Sequence, residues 1–555
     1  MSRVYDILAR VAAQEDPDAC FALLGDANMN FATRLTEAGC QMIYVRHEHC
    51  AAAAAMAYAR KTGKIGLVTV TCGPGLTQLM TALPAAVRAR IPMVIVAGEA
   101  PLKTAWYNQA IDQAPFVAAT GAAYHALHWP ARMPTALRDA FVQARRERRP
   151  VVVGLPFDLQ DLPWEGADDL PPPSHALVPT VSAIAPTEEE LSRAVGEIDA
   201  AQRIVVMAGM GAVEAGAGPA CRALASACDA LLATSLPARG LFHHDPFSIG
   251  IAGGFSSELA RDCLGQAELI LAVGCSLAKH NSDAGKLWPS ARVLQIDVDP
   301  ITQNQGQIVA QSHIRADARL AAEDLAAKLR PRPPLWRSDA LAEKIRTAPP
   351  DSAEFDADPG LHDPRDVVEA LNAALPRAWE LVNSSGHCSY YTAQMPGRPN
   401  EQFLTIREFG AIGNGISFGM GVAVARPDTP VVLFDGDVSL LMHVEELETI
   451  VRHNLNLLII VLNDGAYGSE IHKLRAEGLS DAGAVFERTD FAAIARGFGA
   501  GGETIRDLAQ LPDLIARYDR EGGAAVWDIP ISDKIMSPVI RRAHPSGPKP
   551  SKDAL

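Results

Sequence analysis

The apolar residues of this chain fall in short runs that stop at a glycine or an acidic residue, and most are followed by a stretch of helical periodicity. Val4 to Ala13 reads as a helix. Cys20 to Leu24 then stops at Gly25-Asp26, Met42 to Val45 at Arg46-His47-Glu48-His49, Ile65 to Val70 at Cys72-Gly73-Pro74-Gly75, and Pro92 to Ala97 at Gly98. Pro150 to Leu155 would be the last strand of this first series. Strands alternating with helices predict a doubly wound parallel sheet.

The pattern then repeats twice. Asp161 to Thr180, with Pro171-Pro172-Pro173, reads as a linker. A second α/β unit follows from about Pro186, with strands at Arg203 to Ala208, Leu269 to Gly274 and Arg292 to Ile296, the first running into Gly209-Met210-Gly211. Pro331 to Pro334 and the acidic run Pro349 to Pro364 make a second linker. The third unit, from about Asp366, has a strand-like Ala378 to Val382 and then its clearest stretch. Val431 to Phe434 is a strand ending at Asp435-Gly436-Asp437, Met442 to His453 has helical spacing, and Leu457 to Leu462 is a buried strand ending at Asn463-Asp464. In such a βαβ unit both turns lie at the carboxyl edge of the sheet, where ligands of open α/β folds bind. Asp437 and Asp464 are thereby predicted to meet. The expected fold class is α/β, three doubly wound parallel-sheet domains over 1–165, 186–330 and 360–540. The tail after Arg542 reads as disordered by composition.

Size and composition agree with this division. At 555 residues the chain is too long for one core, and 48% hydrophobic with 21% charged residues is a globular mixture. A formal charge of −15 argues against nucleic acid or an anionic membrane surface as partner. The opening residues lack a signal-peptide core, and apolar runs such as Leu457 to Leu462 are too short to span a bilayer. The nine cysteines form no CxxC pair, so neither a zinc site nor a disulfide framework is indicated and a cytoplasmic location is expected.

Two carboxylates at one sheet edge suit Mg²⁺, a hard ion completed by phosphate oxygens or water. The motif alone would equally fit an ordinary βαβ unit with surface aspartates. Gly436-Asp437-Val438 followed by Asn463-Asp464, however, resembles the Gly-Asp-Gly and Asn-Asn signature of thiamine diphosphate-dependent enzymes of the acetolactate synthase, pyruvate decarboxylase and benzaldehyde lyase type. The resemblance extends from Val4 to about Pro530. Two positions depart from the signature. Asp464 adds negative charge beside a diphosphate, and Val438 would tolerate a positive φ poorly.

The resemblance implies roles for named residues. Glu48, within His47-Glu48-His49, would stand against the cofactor's pyrimidine ring, which needs a carboxyl whose pKa burial has raised. Pro74 of the Gly73-Pro74-Gly75 turn would pack on that ring, and Ile412 would wedge between the two rings. Ser385, Gly386 and His387 would cradle the diphosphate. Gly436, Val438, Ser439 and Tyr467 would border it, while Asp437, Asp464 and the backbone of Ala466 would hold Mg²⁺. Asp26 and Glu470 stand where pyruvate decarboxylases carry proton-transferring acids. Gln109 stands where the benzaldehyde lyase branch places a substrate-facing glutamine. Cys275-Ser276-Leu277-Ala278-Lys279 lacks the arginine of flavin-containing acetolactate synthases, so FAD is not expected.

The function so implied is thiamine diphosphate- and Mg²⁺-dependent cleavage or formation of a carbon–carbon bond next to a carbonyl, by a 2-oxo acid decarboxylase or an acetolactate synthase-like carboligase. A catalytically silent cofactor-binding homologue and a 2-hydroxyketone lyase are the alternatives. The partners would be a small 2-oxo acid or 2-hydroxyketone. Because Glu48 and Pro74 lie in the first unit and Asp437 and Asp464 in the third, the family's shared sites imply a homodimer or homotetramer.

Overall fold

The computed structural model describes residues 2–166 and 169–545. Two positions of the first linker, and the expected disordered tail from position 546 on, lie outside the described residues. The first sheet holds β1 (Ala19–Ala22), β2 (Gln41–Tyr44), β3 (Gly66–Val70), β4 (Met93–Glu99), β5 (Ala123–Ala126) and β6 (Pro150–Pro156), in the order β2-β1-β3-β4-β6-β5. The central sheet holds β7 (Ile204–Ala208), β8 (Leu231–Thr234), β9 (Ser248–Ile251), β10 (Leu269–Val273), β11 (Arg292–Asp297) and, after a small hairpin of β12 (Gln303–Asn304) and β13 (Gln307–Ile308), β14 (Ser312–Arg315). Its order is β14-β11-β10-β7-β8-β9. The third holds β15 (Glu380–Asn383), β16 (Phe403–Thr405), β17 (Val431–Gly436), β18 (Leu457–Asn463), β19 (Gly501–Thr504) and β20 (Ala524–Pro530), in the order β16-β15-β17-β18-β20-β19.

Every strand pair in the three six-stranded sheets is parallel, as a doubly wound α/β protein requires. The first and third sheets have the same strand order, so each reverses direction between its first and third strands. Ligands of such sheets bind outside the carboxyl ends at that reversal. In the first sheet it lies between β1 and β3, and in the third between β15 and β17. The central sheet has the order of a dinucleotide-binding fold, with its reversal between β7 and β10.

Sequence periodicity located most of the buried strands but missed β8 and β20, which are buried and internal to their sheets, as well as edge strands. β5 is Ala-Tyr-His-Ala and β19 is Gly-Gly-Glu-Thr, half-exposed segments with no apolar run to announce them. The helix expected over Met442 to His453 is shorter, Glu446–Arg452, and an unexpected helix, Asp437–Leu441, starts at the acidic turn itself. The linkers also hold short helices, Ser174–Leu177 and Asp339–Thr347.

Two helices fuse the outer domains. Glu48–Thr62 is buried on all sides from His49 to Ala59, and Gly415–Ala425 from Gly415 to Ala423. Alanine on one and glycine on the other let the backbones approach, so that a Cβ added at Gly421 would stand 2.1 Å from the Ala54 carbonyl oxygen. The cores of the first and third domains thereby merge into one hydrophobic cluster. Lys61 reaches from the end of the first helix to Glu380 at 2.6 Å, an ion pair whose side chains are each 6% exposed.

Candidate active site

The third domain builds its part of the site at its reversal point. β17 delivers Asp437 as the first residue of the helix Asp437–Leu441, and β18 delivers Asp464. The Asp437 carboxylate accepts the amides of Val438 and Gly465, each at 2.9 Å, while Asp464 accepts that of Ala466 at 3.2 Å. Neither carboxylate has a cationic side chain within ion-pair distance among the described residues. Burial pushes Asp437 up to about 6, and burial together with the neighbouring Asp437 carboxyl pushes Asp464 well above the usual carboxylate range. Among the described residues no cluster of three or more His, Cys, Asp or Glu side chains is arranged for a metal. A cation here would therefore be completed by backbone carbonyls, water or a ligand's own oxygens. Beneath the pair, Asp435 is fully buried, its Oδ2 without a hydrogen-bond partner, and burial raises it to about 7.

β15 ends in the turn Ser384 to His387, where Gly386 has φ +108, a conformation open to glycine. A Cβ at Gly386 would sit 3.8 Å from Ile412 Cγ2, so Ile412 lies over the turn. Ser439 ties the Ile412 loop down. Its Oγ accepts the Gly413 amide at 2.9 Å and lies 3.3 Å from Ser384 Oγ. Val438 is a helical residue and is not among those with positive φ, so the conformational objection to a β-branched side chain there does not arise. Tyr467 is partly exposed and packs its ring edge-on against Phe486. Glu470 is exposed and pairs with Lys473 at 3.0 Å.

The first domain gathers a second set of residues. Glu48 opens the helix Glu48–Thr62 after β2, and burial raises its carboxyl above the usual range. Its Oε1 is 3.5 Å from a Cβ placed at Gly75, which brings it to the Gly73-Pro74-Gly75 turn after β3. Gln109 closes on the same turn, its Oε1 3.3 Å from Cys72 Sγ. Asp26, after β1, is exposed. Sequence reasoning missed Gln113, which is buried and fixes this turn by accepting the Gly73 amide and donating to the Gly98 carbonyl, both at 3.0 Å. It also missed Thr71, whose buried hydroxyl has no partner. A loop glutamine and a strand-end threonine carry no pattern that would have marked them.

The third domain grips the segment that carries Glu48. Glu446 accepts the amides of Arg46 and His47 at 2.9 Å each, Arg46 pairs with Glu448 at 2.6 Å, and His49 Nε2–H donates to Asn414 Oδ1 at 2.6 Å. In the central domain, the glycine turn after β7 spends its amides internally. Gly209 N–H donates to the Val273 carbonyl and Gly211 N–H to the Gly274 carbonyl, both at 2.9 Å.

Comparison with known proteins now bears on this geometry. Residues 2–116 match the model of the thiamine pyrophosphate enzyme N-terminal TPP binding domain, 191–325 that of the central domain, and 384–529 that of the C-terminal TPP binding domain. The chain belongs to the thiamine pyrophosphate (thiamine diphosphate) enzymes. Among its relatives, the acetolactate synthase large subunit of Parasynechococcus marenigrum is 28% identical over 84% of this chain and 76% of the relative. The acetolactate synthase isozyme 2 large subunit of Escherichia coli is 28% identical over 87% of each. A Pseudomonas aeruginosa protein named “probable 2-ketoarginine decarboxylase” is 28% identical over 93% of this chain and 92% of the relative. This thiamine diphosphate enzyme is therefore of the acetolactate synthase and decarboxylase type. Among the described residues no helix is long and apolar enough to cross a membrane.

Proposed function

We propose that this thiamine diphosphate enzyme requires Mg²⁺ and cleaves or forms a carbon–carbon bond next to the carbonyl of a 2-oxo acid. The observation that carries the reading is the pair of the buried Asp437 and the half-buried Asp464, which lacks a cationic partner among the described residues and stands at the carboxyl ends of β17 and β18, beside the reversal point of the third sheet. Two neighbouring carboxylates withdrawn from water to this degree without a counter-charge are costly, and a divalent cation is what would relieve them. Asp437, Asp464 and the Ala466 carbonyl are the proposed ligands. Ser385, Gly386, His387 and Ser439 would hold the diphosphate, with Gly436, Val438 and Tyr467 beside it.

Thiamine diphosphate, when bound, supplies a thiazolium carbon that adds to a carbonyl and stores the electron pair released by the breaking bond. The chain's task is to position and protonate. Glu48, whose carboxyl burial holds above the usual carboxylate range, would share a proton with the pyrimidine ring nitrogen. Ile412, held over the diphosphate turn by Ser439, would enforce the bent shape that brings the two rings together. Pro74, on the turn held by Gln113, would support the pyrimidine face. Gln109 would face the substrate from the loop that closes on this turn, and Asp26 and Glu470 would serve proton transfer. Both acids are exposed, and Glu470 pairs with Lys473, which suits groups that exchange protons with solvent. The internally bonded Gly209 and Gly211 amides support a central domain without FAD, because such amides would otherwise receive a pyrophosphate. The purified protein should be colourless.

Calorimetry with thiamine diphosphate and Mg²⁺ tests the cofactor reading. Assay of the loaded enzyme against 2-oxo acids and 2-hydroxyketones, with products identified by mass spectrometry, tests the reaction. Binding abolished in Asp437→Ala is expected. Wild-type protein that takes up no cofactor, or turns over only 2-hydroxyketones, would refute the corresponding half.

A further inference from the structure

His387 sits in the turn assigned to the diphosphate, and its Nε2 faces the C-terminal segment. The Ser537 backbone N–H donates to His387 Nε2 at 3.0 Å. The Tyr391 hydroxyl, 3.3 Å from the same nitrogen, donates to the Ile535 carbonyl at 2.9 Å, so it has no proton to spare for the ring. The rings of Tyr391 and His472 close in edge-on, at 5.3 Å and 4.8 Å between centroids. An imidazole that accepts at Nε2 carries its single proton on Nδ1. Among the described residues nothing is hydrogen-bonded to Nδ1. This edge opens beside Gly468, where an added Cβ would lie 3.3 Å from His387 Nδ1 and 2.4 Å from Asp464 Oδ2. A neutral donor and an acidic side chain therefore flank the same space.

We propose that His387 binds the cofactor's anionic group as a neutral Nδ1–H donor, and that the Ser537 amide is the positioning group that fixes this tautomer. The inference rests on the thiamine diphosphate reading and adds to it a role for the C-terminal segment. A donor fixed before binding spends no free energy on choosing its tautomer, and a neutral one leaves Asp464 free for a cation instead of capturing it in an ion pair. Ser537 has φ −62, so a proline there would fit the backbone and delete only the N–H.

The test uses the full-length protein and two pairs of variants. Asparagine places its amide N–H near the position of Nδ1, whereas glutamine places it near Nε2. His387→Asn should bind thiamine diphosphate with Mg²⁺ close to wild type, while His387→Gln should lose roughly ten- to hundredfold, the scale of a hydrogen bond to a charged group. Ser537→Pro should lose roughly tenfold and Ser537→Ala nothing. Nitrogen-15 spectra of histidine-labelled protein without cofactor, with the His387 signal identified by its loss in His387→Asn, should show the proton on Nδ1. Glutamine binding as well as asparagine, or a proton on Nε2, would overturn the proposal. Should Ser537→Pro fail to fold, the His387 pair and the spectrum still decide. Wild-type protein that binds no thiamine diphosphate would instead refute the cofactor reading itself, while the spectrum would still report the tautomer.

Discussion

A single carboxyl sets the expected chemistry. Glu48→Gln keeps the size and the helix start but cannot give up a proton, so turnover should fall by several orders of magnitude with thermal unfolding unchanged. Activity near wild type in that variant would remove Glu48 from the mechanism. Val438 makes the opposite point. As a helical residue it does not obstruct the turn, and Val438→Gly, which restores the family signature, should leave cofactor affinity unaltered while costing about 0.5–1 kcal/mol of stability for glycine in a helix. Denaturant melts and calorimetry on the same preparation check both parts. The residues legible in the sequence were those that end an apolar run, because the carboxyl end of a buried strand is where the fold puts ligands: Glu48, Pro74, Asp437 and Asp464. Gln113 and Ser537 were illegible. Each acts through a backbone amide or a turn brought to it by tertiary packing, and no local pattern encodes such a partner.

Among the elements, the pair of helices Glu48–Thr62 and Gly415–Ala425 does most to relate the two halves of the site. Both were underread, since Ala51 to Ala55 and the glycines of the second helix look like low-information composition until the close approach is seen. Gly421→Val would drive a branched side chain into the Ala54 carbonyl, and should cost about 1–3 kcal/mol or more, with loss of cofactor binding when the domains shift. At the start of the first helix, His49 is buried, stacks on the His443 ring at 5.0 Å and lies edge-on to His47. Burial lowers its pKa from 6.5 to about 4. The native state thus holds it neutral while the unfolded chain takes up a proton below about pH 6.5, so its stabilising contribution is complete above that value and is lost as pH falls toward 4. The loss should be on the order of 3 kcal/mol, and His49→Gln should flatten that part of the stability–pH curve measured by denaturant melts. A variant as acid-sensitive as wild type would assign the loss to other groups. The edge strands β5 and β19 escaped the sequence reading for a related reason. Exposure removes the apolar signal that marks a central strand.

The whole molecule repeats one strand order in its first and third domains and separates them by a central domain of different order. The residues proposed to contact the cofactor are thereby divided between two sheets, Glu48 and Pro74 on one, Asp437 and Asp464 on the other. We infer that two chains share their sites about a two-fold axis, as a homodimer or a dimer of dimers, in keeping with the commonest closed symmetries. Complementation tests this directly. Glu48→Gln and Asp437→Ala chains should each be inactive alone, because every site lacks one contribution. After mixed subunits have exchanged, a hybrid dimer with shared sites contains one site carrying both defects and one carrying neither. Activity should then return toward half the native value per hybrid, and the proportion of hybrids can be read from differently tagged chains by native mass spectrometry. If each chain builds its site alone, hybrids form and stay inactive, since every site then keeps one defect. That result would place Glu48 opposite the Asp437 of its own chain, and the grip of Glu446 on the Arg46 and His47 amides would become the contact that closes the site within one subunit.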